Sequence, residues 1–234
     1  MSKAQELLEE KELQENFLIL ADKQRMGQGR KGNIWYSPEG GLWFTLAIYG
    51  FKFNSNFTIF LGIQVHKALI TMFPQLQEQE LLLKWPNDIY LKEKKLAGII
   101  VKQLSYKEYY FCGIGINTAF EGFPDELASH SISLKNSGII SCNNEDLLKT
   151  ILDNISDNLP EYLVDSKFSR SYYDKYDFLR NREITITTDF SQFQGKYRGI
   201  NQEGALLLKL ESGAIQPFYA GEVNFNIVKK SPQE

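Results

Sequence analysis

The stretch that most constrains the fold runs from Lys84 to Val101. Lys84-Trp85-Pro86-Asn87-Asp88-Ile89-Tyr90-Leu91 leads into a charged tip, Lys92-Glu93-Lys94, and Lys95-Leu96-Ala97-Gly98-Ile99-Ile100-Val101 leads away from it. Two apolar runs around a short polar tip predict a β-hairpin, with Leu81-Leu82-Leu83 feeding it as a buried strand. Polar groups interrupt these runs where a core strand stays apolar: Lys84, Asn87 and Asp88 on the way in, Lys95 on the way out. A charge buried without a partner is strongly unfavourable, so an ion in such a place needs a counter-ion or a ligand. Lys92, Glu93 and Lys94 read as a solvated tip. Asp88 and Lys95, hemmed in by Trp, Pro, Leu, Ala and Gly, read as a site, with Pro86 fixing the backbone beside them.

A second stretch, Gln24-Arg25-Met26-Gly27-Gln28-Gly29-Arg30-Lys31-Gly32-Asn33-Ile34-Trp35, follows an apolar strand, Asn16 to Ala21. Its glycines allow main-chain N–H groups to approach a ligand closely, and Arg25, Arg30 and Lys31 make it cationic. Such a loop suits an anion cradle for phosphate or carboxylate. A solvated loop has the same composition, and this stretch alone does not separate the two. It lacks the Gly-Lys-Ser/Thr of a P-loop, and no helical pattern follows it as a dinucleotide fingerprint requires. Trp35 either packs in the core or covers a base. Further on, Glu108 to Asn117 reads as a strand with Gly113 and Gly115 at alternate positions. One sheet face there lacks side chains, as where a ligand or another backbone comes close.

The remaining elements surround these two stretches. An amphipathic helix is expected from Ser2 to about Leu13, a strand over Leu42–Tyr49, and a buried helix from Asn54 or Asn56 to Phe73 with His66 as core material. Phe120 to Ser141 is irregular. Asn143 or Asn144 caps a helix running from Glu145 towards Asn158 and ending before Pro160, with helical character resuming through Tyr173 and Leu179. From Arg182 the pattern turns to strands: Glu183–Thr187, Phe193–Ile200, Ala205–Leu210, Ile215–Tyr219 and Val223–Val228. That spacing predicts a small SH3-like barrel beginning near Arg180 to Glu183.

Composition narrows the function. A net charge of −3 argues against a nucleic-acid binder. Cys112 and Cys142 lie far apart, and with only His66 and His130 present neither a disulfide framework nor a metal centre is expected. No apolar run approaches the ~20 residues needed to span a bilayer, and the polar N-terminus is no signal peptide. A soluble, cytoplasmic protein is the expectation, with no membrane or nucleic-acid partner.

Taken together, the motifs resemble the biotin–protein ligases. That family shows Ala-x-x-Gln, a Gly-Arg-Gly-Arg-x-Gly-type loop with a Trp, Lys-Trp-Pro-Asn-Asp, Lys-Leu-Ala-Gly-Ile and Gly-Ile-Gly-Ile-Asn, in that order. Here they stand as Ala21–Gln24, Gly27–Trp35, Lys84–Asp88, Lys95–Ile99 and Gly113–Asn117, and Gly204-Ala205-Leu206 with Gly221-Glu222-Val223 matches the family's ending. The resemblance implies an α+β fold: a class II synthetase-like mixed or antiparallel sheet with flanking helices over residues 1–180, and a C-terminal SH3-like β-barrel over 181–234.

It also implies two half-reactions. Biotin's carboxylate attacks the α-phosphate of ATP, with Mg²⁺ brought by ATP rather than held by a side-chain cluster. A lysine of a biotin carboxyl carrier domain then takes the biotinyl group. Lys95, Arg30 and Asp88 match the catalytic positions; Gln24, Gly27, Gln28, Lys95, Gly98, Gly113 and Gly115 match the biotin side; Arg30, Lys31, Trp35, Asn87 and Asn117 match the ATP side. Asp88 is the nearest candidate to take the proton of the acceptor lysine, and a glycine loop ordered over the adenylate would keep water out. Gly29→Val is expected to speed escape of the adenylate.

The sequence also departs from the pattern. Members open with a strand and a Ser-Thr-Asn-like segment lining the biotin pocket; this sequence starts at Met1-Ser2-Lys3, where that segment should end, which implies a truncated or differently completed pocket. Gln28 and Asn33 replace frequent arginines, which should weaken phosphate contacts. The DNA-binding helix-turn-helix of some members is not found, so a repressor role is not supported. The alternatives are a lipoate–protein ligase-like enzyme and a truncated, non-catalytic biotin-binding homologue. Exposed sheet edges allow a homodimer.

Overall fold

The computed structural model describes residues 1–11, 14–52, 54–104 and 108–225. Helix α1 (Ser2–Lys11) precedes strands β1 (Phe17–Ala21) and β2 (Leu42–Tyr49), helices α2 (Phe57–Met72) and α3 (Gln75–Glu78), then β3 (Leu81–Lys84), β4 (Asp88–Leu91), β5 (Lys94–Leu104) and β6 (Tyr109–Ile116). A short α4 (Asp125–Ala128), the long α5 (Asn144–Asp165) and α6 (Arg170–Lys175) follow. Five strands close the described chain: β7 (Glu183–Thr187), β8 (Gln192–Ile200), β9 (Leu206–Lys209), β10 (Ile215–Phe218) and β11 (Glu222–Phe225). Leu13 and Asn226 to Val228, to which two expected elements extended, lie outside the described residues.

The first six strands form an antiparallel sheet in the order β1-β2-β6-β5-β4-β3. Period-two alternation gives it two unlike faces. Leu42, Phe44 and Ile48 of β2, with Tyr110, Cys112, Ile114 and Ile116 of β6, join the main core with α2 and α5. The opposite residues face the other way: Ala47, Tyr109 and Phe111 pack under Ala4 and Leu8 of α1. The rest of that second face is left to the site. α2 is buried around most of its circumference, as its apolar composition requires.

The last five strands form a second antiparallel sheet, β10-β9-β8-β7-β11. β10 and β11 are its two edges, so among the described residues the sheet is open rather than the closed barrel expected. It is sewn to the first unit through the expected hairpin motif: the indole of Trp85 donates to Gly204 O at 2.8 Å. Asn56, at the start of α2, donates to Ser166 O and Gln202 O, and its side-chain oxygen accepts from the Tyr162 hydroxyl at 2.6 Å.

Two helical expectations need correction. α5 runs through Pro160 to Asp165. The missing N–H falls on a solvent-facing turn, where Ser156 and Pro160 are exposed, while Tyr162 is buried and Leu159 and Leu163 pack against the core. That burial offsets the ~3 kcal/mol an internal proline costs. Beyond it, α6 stops at Lys175, and Leu179 lies in a turn.

Candidate active site

The hairpin turn is a two-residue one. Lys92 and Glu93 both take positive φ, 50° and 63°, between the paired residues Leu91 and Lys94. That is the mirror-image turn that matches strand twist. The tip is not the freely solvated element expected: Glu93 accepts from Arg182 at 2.6 Å, and Lys94 Nζ donates to Ala128 O at 2.9 Å. Both partners lie on neighbouring segments, which gives these charges a structural task.

A register shift next to the turn decides where Lys95 points. Asp88 pairs with Gly98 and Ile89 with Ala97, but Tyr90 pairs with Lys95, so Leu96 is an extra residue in β5. Such a bulge switches the alternation. Leu96 and Ala97 both enter the core, and Lys95 joins Gly98 on the front face instead of facing α2. There Lys95 Nζ meets Asp88 Oδ1 at 2.8 Å and stands 5.1 Å from the centre of the Trp35 ring.

The glycine loop lies opposite. It folds back on itself as Trp35 N–H donates to Gly27 O and Gly29 N–H to Asn33 O, around a 3-10 turn at Arg30–Gly32. Arg30 projects into the space between, donating to Asn87 Oδ1 and to Gly221 O, both at 3.1 Å. Asn87 is itself fixed, its amide donating to Ile99 O at 2.8 Å. Lys31 reaches outward to Asp189 at 2.7 Å. Front sheet face, loop and β11 together enclose a cavity of about 760 Å³.

Gln24, Gln28, Arg30, Lys31, Trp35, Asn87, Asp88, Lys95, Gly98, Gly113 and Gly115 all border this cavity. Two expected site residues do not. Gly27 is buried under the loop, where a Cβ would lie 2.3 Å from Trp35 O. Asn117 sits behind the sheet end, its amide donating to Lys95 O and Ile132 O. The bare strand positions are filled from within the chain. The Trp35 indole lies over Gly98 and Gly115, where a Cβ would stand 3.0 and 2.6 Å from its ring, and Met1 covers Gly113. The Trp35 Nε1 is buried there without an acceptor.

Sequence reasoning left other wall residues unassigned. Lys84 is the clearest: its ammonium stands 5.2 Å from the Tyr90 ring centre and 5.5 Å from that of Phe225. No carboxylate pairs with it among the described residues. Burial pushes it below the usual lysine range, partly countered by Asp88. Its polar identity inside an apolar run was the available signal. Gly221, Glu222 and Phe225 reach the cavity from β11 and its approach, a placement no local pattern in the sequence reveals.

A cationic glycine loop thus faces the front of an antiparallel sheet across the cavity, with the Lys95–Asp88 ion pair on the sheet side. The chain belongs to the biotin/lipoate A/B protein ligase family, whose model matches residues 1–118, and residues 181–225 match the biotin protein ligase C terminal domain. Among solved structures, the biotin protein ligase from Aquifex aeolicus in complex with biotin and ATP superposes with a TM-score of 0.83 at 28% identity, over 95% of this chain and 94% of that one. The bifunctional ligase/repressor BirA of Escherichia coli is 26% identical over 231 residues, 94% of this chain and 69% of BirA. The biotin--[acetyl-CoA-carboxylase] ligase of Paracoccus denitrificans is 27% identical over 233 residues, covering 88% and 89%. No helix among the described residues is long and apolar enough to cross a membrane.

Proposed function

We propose that the protein is a biotin–protein ligase. It makes biotinyl-5′-AMP from biotin and ATP, then transfers the biotinyl group to a lysine of a biotin carboxyl carrier domain. The observation that carries this reading is the Lys95–Asp88 pair, turned onto the cavity face by the bulge at Leu96 and set opposite Arg30. The names of the similar ligases support the choice of biotin.

In the first step a biotin carboxylate oxygen bonds to the α-phosphorus, and the bond to the bridging oxygen breaks, leaving its electron pair on pyrophosphate. Both reactants are anions, so fixed cations are needed to offset their repulsion and the charge building on the phosphorus oxygens. Lys95 and Arg30 fill that role from opposite walls. Mg²⁺ travels on the ATP phosphates and offsets their charge. Among the described residues no group of three or more His, Cys, Asp or Glu is placed to hold a metal, and Mg²⁺ typically needs few protein ligands beside phosphates.

In the second step the acceptor amine attacks the acyl carbon and AMP leaves. A lysine of ordinary pKa, about 10.4, must lose a proton first. Asp88 accepts it, with Lys95 holding the carboxylate in place. The biotin ring system lies along Gln24, Gln28 and Gly113, and it reaches Gly98 and Gly115 when the Trp35 indole shifts. The nucleotide lies along Arg30, Lys31 and Asn87. In this reading residues 1–180 carry catalysis, and the C-terminal unit from 181 contributes Gly221 as an anchor for Arg30. Two free cysteines suit a reducing cytoplasm.

The test is pyrophosphate release with ATP and Mg²⁺ in the presence of biotin, lipoate or octanoate. Release with biotin alone supports the proposal. Release with lipoate moves the protein to the lipoate branch, and silence with all three leaves a binding protein.

A further inference from the structure

We propose that Arg182 is a positioning residue: by gripping Glu93 it holds the β4–β5 turn in the form that keeps Lys95 beside Asp88. The inference rests on the reading above, in which that pair carries the two chemical steps.

The turn does not hold itself. A two-residue turn of this hand needs positive φ at both positions and favours Asn-Gly or Asp-Gly. Here a lysine and a glutamate take φ of 50° and 63°. In that region the Cβ crowds the following carbonyl, and neither residue has the short polar side chain that eases it. The stretch Lys92-Glu93-Lys94 would also serve as a longer, looser connection if the Leu91–Lys94 pair opened. Something outside the hairpin must therefore select the tight form.

Arg182 is placed to do so. Its backbone is fixed, its N–H donating to Leu179 O at 3.0 Å and its carbonyl accepting from Tyr197 N–H at 3.1 Å. Its Nε donates to Phe178 O at 3.0 Å, and the guanidinium lies 4.3 Å from the Phe178 ring centre and 5.1 Å from that of Phe225. From that seat Nη2 reaches Glu93 Oε1 at 2.6 Å. A planar fork can stack and pair at once, which the point charge of a lysine cannot.

Lys95 needs this support on one side. Its N–H donates to His130 O and its carbonyl accepts from Ile132 N–H, which fixes the edge away from β4. Leu96 and Ala97 anchor β5 in the core only beyond it. Towards β4 and Asp88, Lys95 is held through its pairing with Tyr90, one step from the turn. A loosened tip opens that pairing first and carries the ammonium away from the carboxylate.

The test removes the grip with Arg182→Gln and, separately, removes the need for it. Lys92→Asn with Glu93→Gly supplies residues that adopt the tight turn unaided. Arg182→Gln should lower kcat for biotin-dependent pyrophosphate release about tenfold, as small misplacements of reacting groups do, with a smaller change in the KM for ATP. Amide hydrogen exchange over residues 90–97 should quicken while β1 and β2 exchange as in the parent. Glu93→Gln, which leaves Arg182 on its two rings, should move both readouts in the same sense. Arg182→Gln combined with Lys92→Asn and Glu93→Gly should regain most of the lost kcat and the slow exchange of the parent. A combined variant as impaired as Arg182→Gln alone overturns the proposal, because Arg182 would then act through its ring packing. Unchanged hairpin exchange in Arg182→Gln overturns it too. If the parent releases no pyrophosphate with biotin, the functional reading fails, and hairpin exchange in the single and combined variants still decides whether Arg182 holds the turn.

Discussion

Lys95 and Asp88 face each other across β4 and β5 with Nζ and Oδ1 2.8 Å apart. They are not direct partners in the ladder, since Asp88 is opposite Gly98. The bulge between brings them together, and each restrains the other at the cavity's centre. The pair therefore divides the two steps between its members. Asp88→Asn keeps the Lys95 charge that the first step uses, but removes the base. It should slow transfer from preformed adenylate to the carrier by about a hundredfold, with a smaller loss in pyrophosphate release. Unchanged single-turnover transfer would remove Asp88 from the second step.

Arg30 and Asn87 act as a unit. Asn87 takes its orientation from Ile99 O and passes it to the guanidinium through a 3.1 Å hydrogen bond. Arg30→Ala and Asn87→Ala should each lower kcat/KM for ATP, and the double variant should lose less than the product of the two losses. A coupling of about 1–2 kcal/mol is expected from side chains in one network. Strict additivity in the double-mutant cycle would show that Arg30 is positioned without Asn87.

The glycines of the loop are not equivalent. At Gly27 a Cβ would lie 2.3 Å from Trp35 O, whereas at Gly29 the nearest atom is 3.5 Å away. Gly27→Ala must push apart the two arms of the loop that carry Trp35, and should shorten the lifetime of enzyme-bound adenylate severalfold; Gly29→Ala should change it little. Even Gly29→Val, whose first carbon would make only ordinary contact with Asn33, is the milder change. Adenylate escape followed by its hydrolysis after rapid dilution measures both. Equal lifetimes would mean that the loop does not seal the product.

Much of this was legible in the sequence because the strong signals are local. Strand β2 matches its expected ends, Leu42 and Tyr49, and α2 follows its apolar spacing. Eleven of the expected site positions border one cavity because motifs on β4, β5, β6 and the loop meet at the front of a single sheet. What was not legible depends on long-range packing. Pro160 reads as a stop, but burial of Tyr162 carries α5 past it. Gly113 and Gly115 read as bare, yet Met1 and Trp35 come from elsewhere in the chain to cover them. Lys84 lacks an assigned role in sequence because its two aromatic partners include Phe225, far along the chain.

Two buried groups behind the site set opposing pH trends. His66 lies in the core between the Tyr172 hydroxyl and Leu81 O, and burial lowers its pKa to about 4 from an ordinary 6.5. The unfolded chain thus binds the proton more readily, and stability is lost as pH falls from about 6.5 to 4. Asp177 is the reverse. Burial raises it to about 6 from 3.8, against the pull of the Leu179 N–H, so the folded chain holds the proton and stability is lost as pH rises from about 4 to 6. At ~1.4 kcal/mol per pH unit each trend amounts to about 3 kcal/mol, and they nearly cancel between pH 4 and 6. Asp177→Asn keeps an acceptor for Leu179 and removes the second trend. The variant should be more stable than the parent at pH 7, by up to about 3 kcal/mol, and should match it near pH 4. Its urea midpoint should then fall steeply from pH 6.5 downward where the parent's stays level. A parent and variant that differ by the same amount at every pH would show that Asp177 does not titrate in this range.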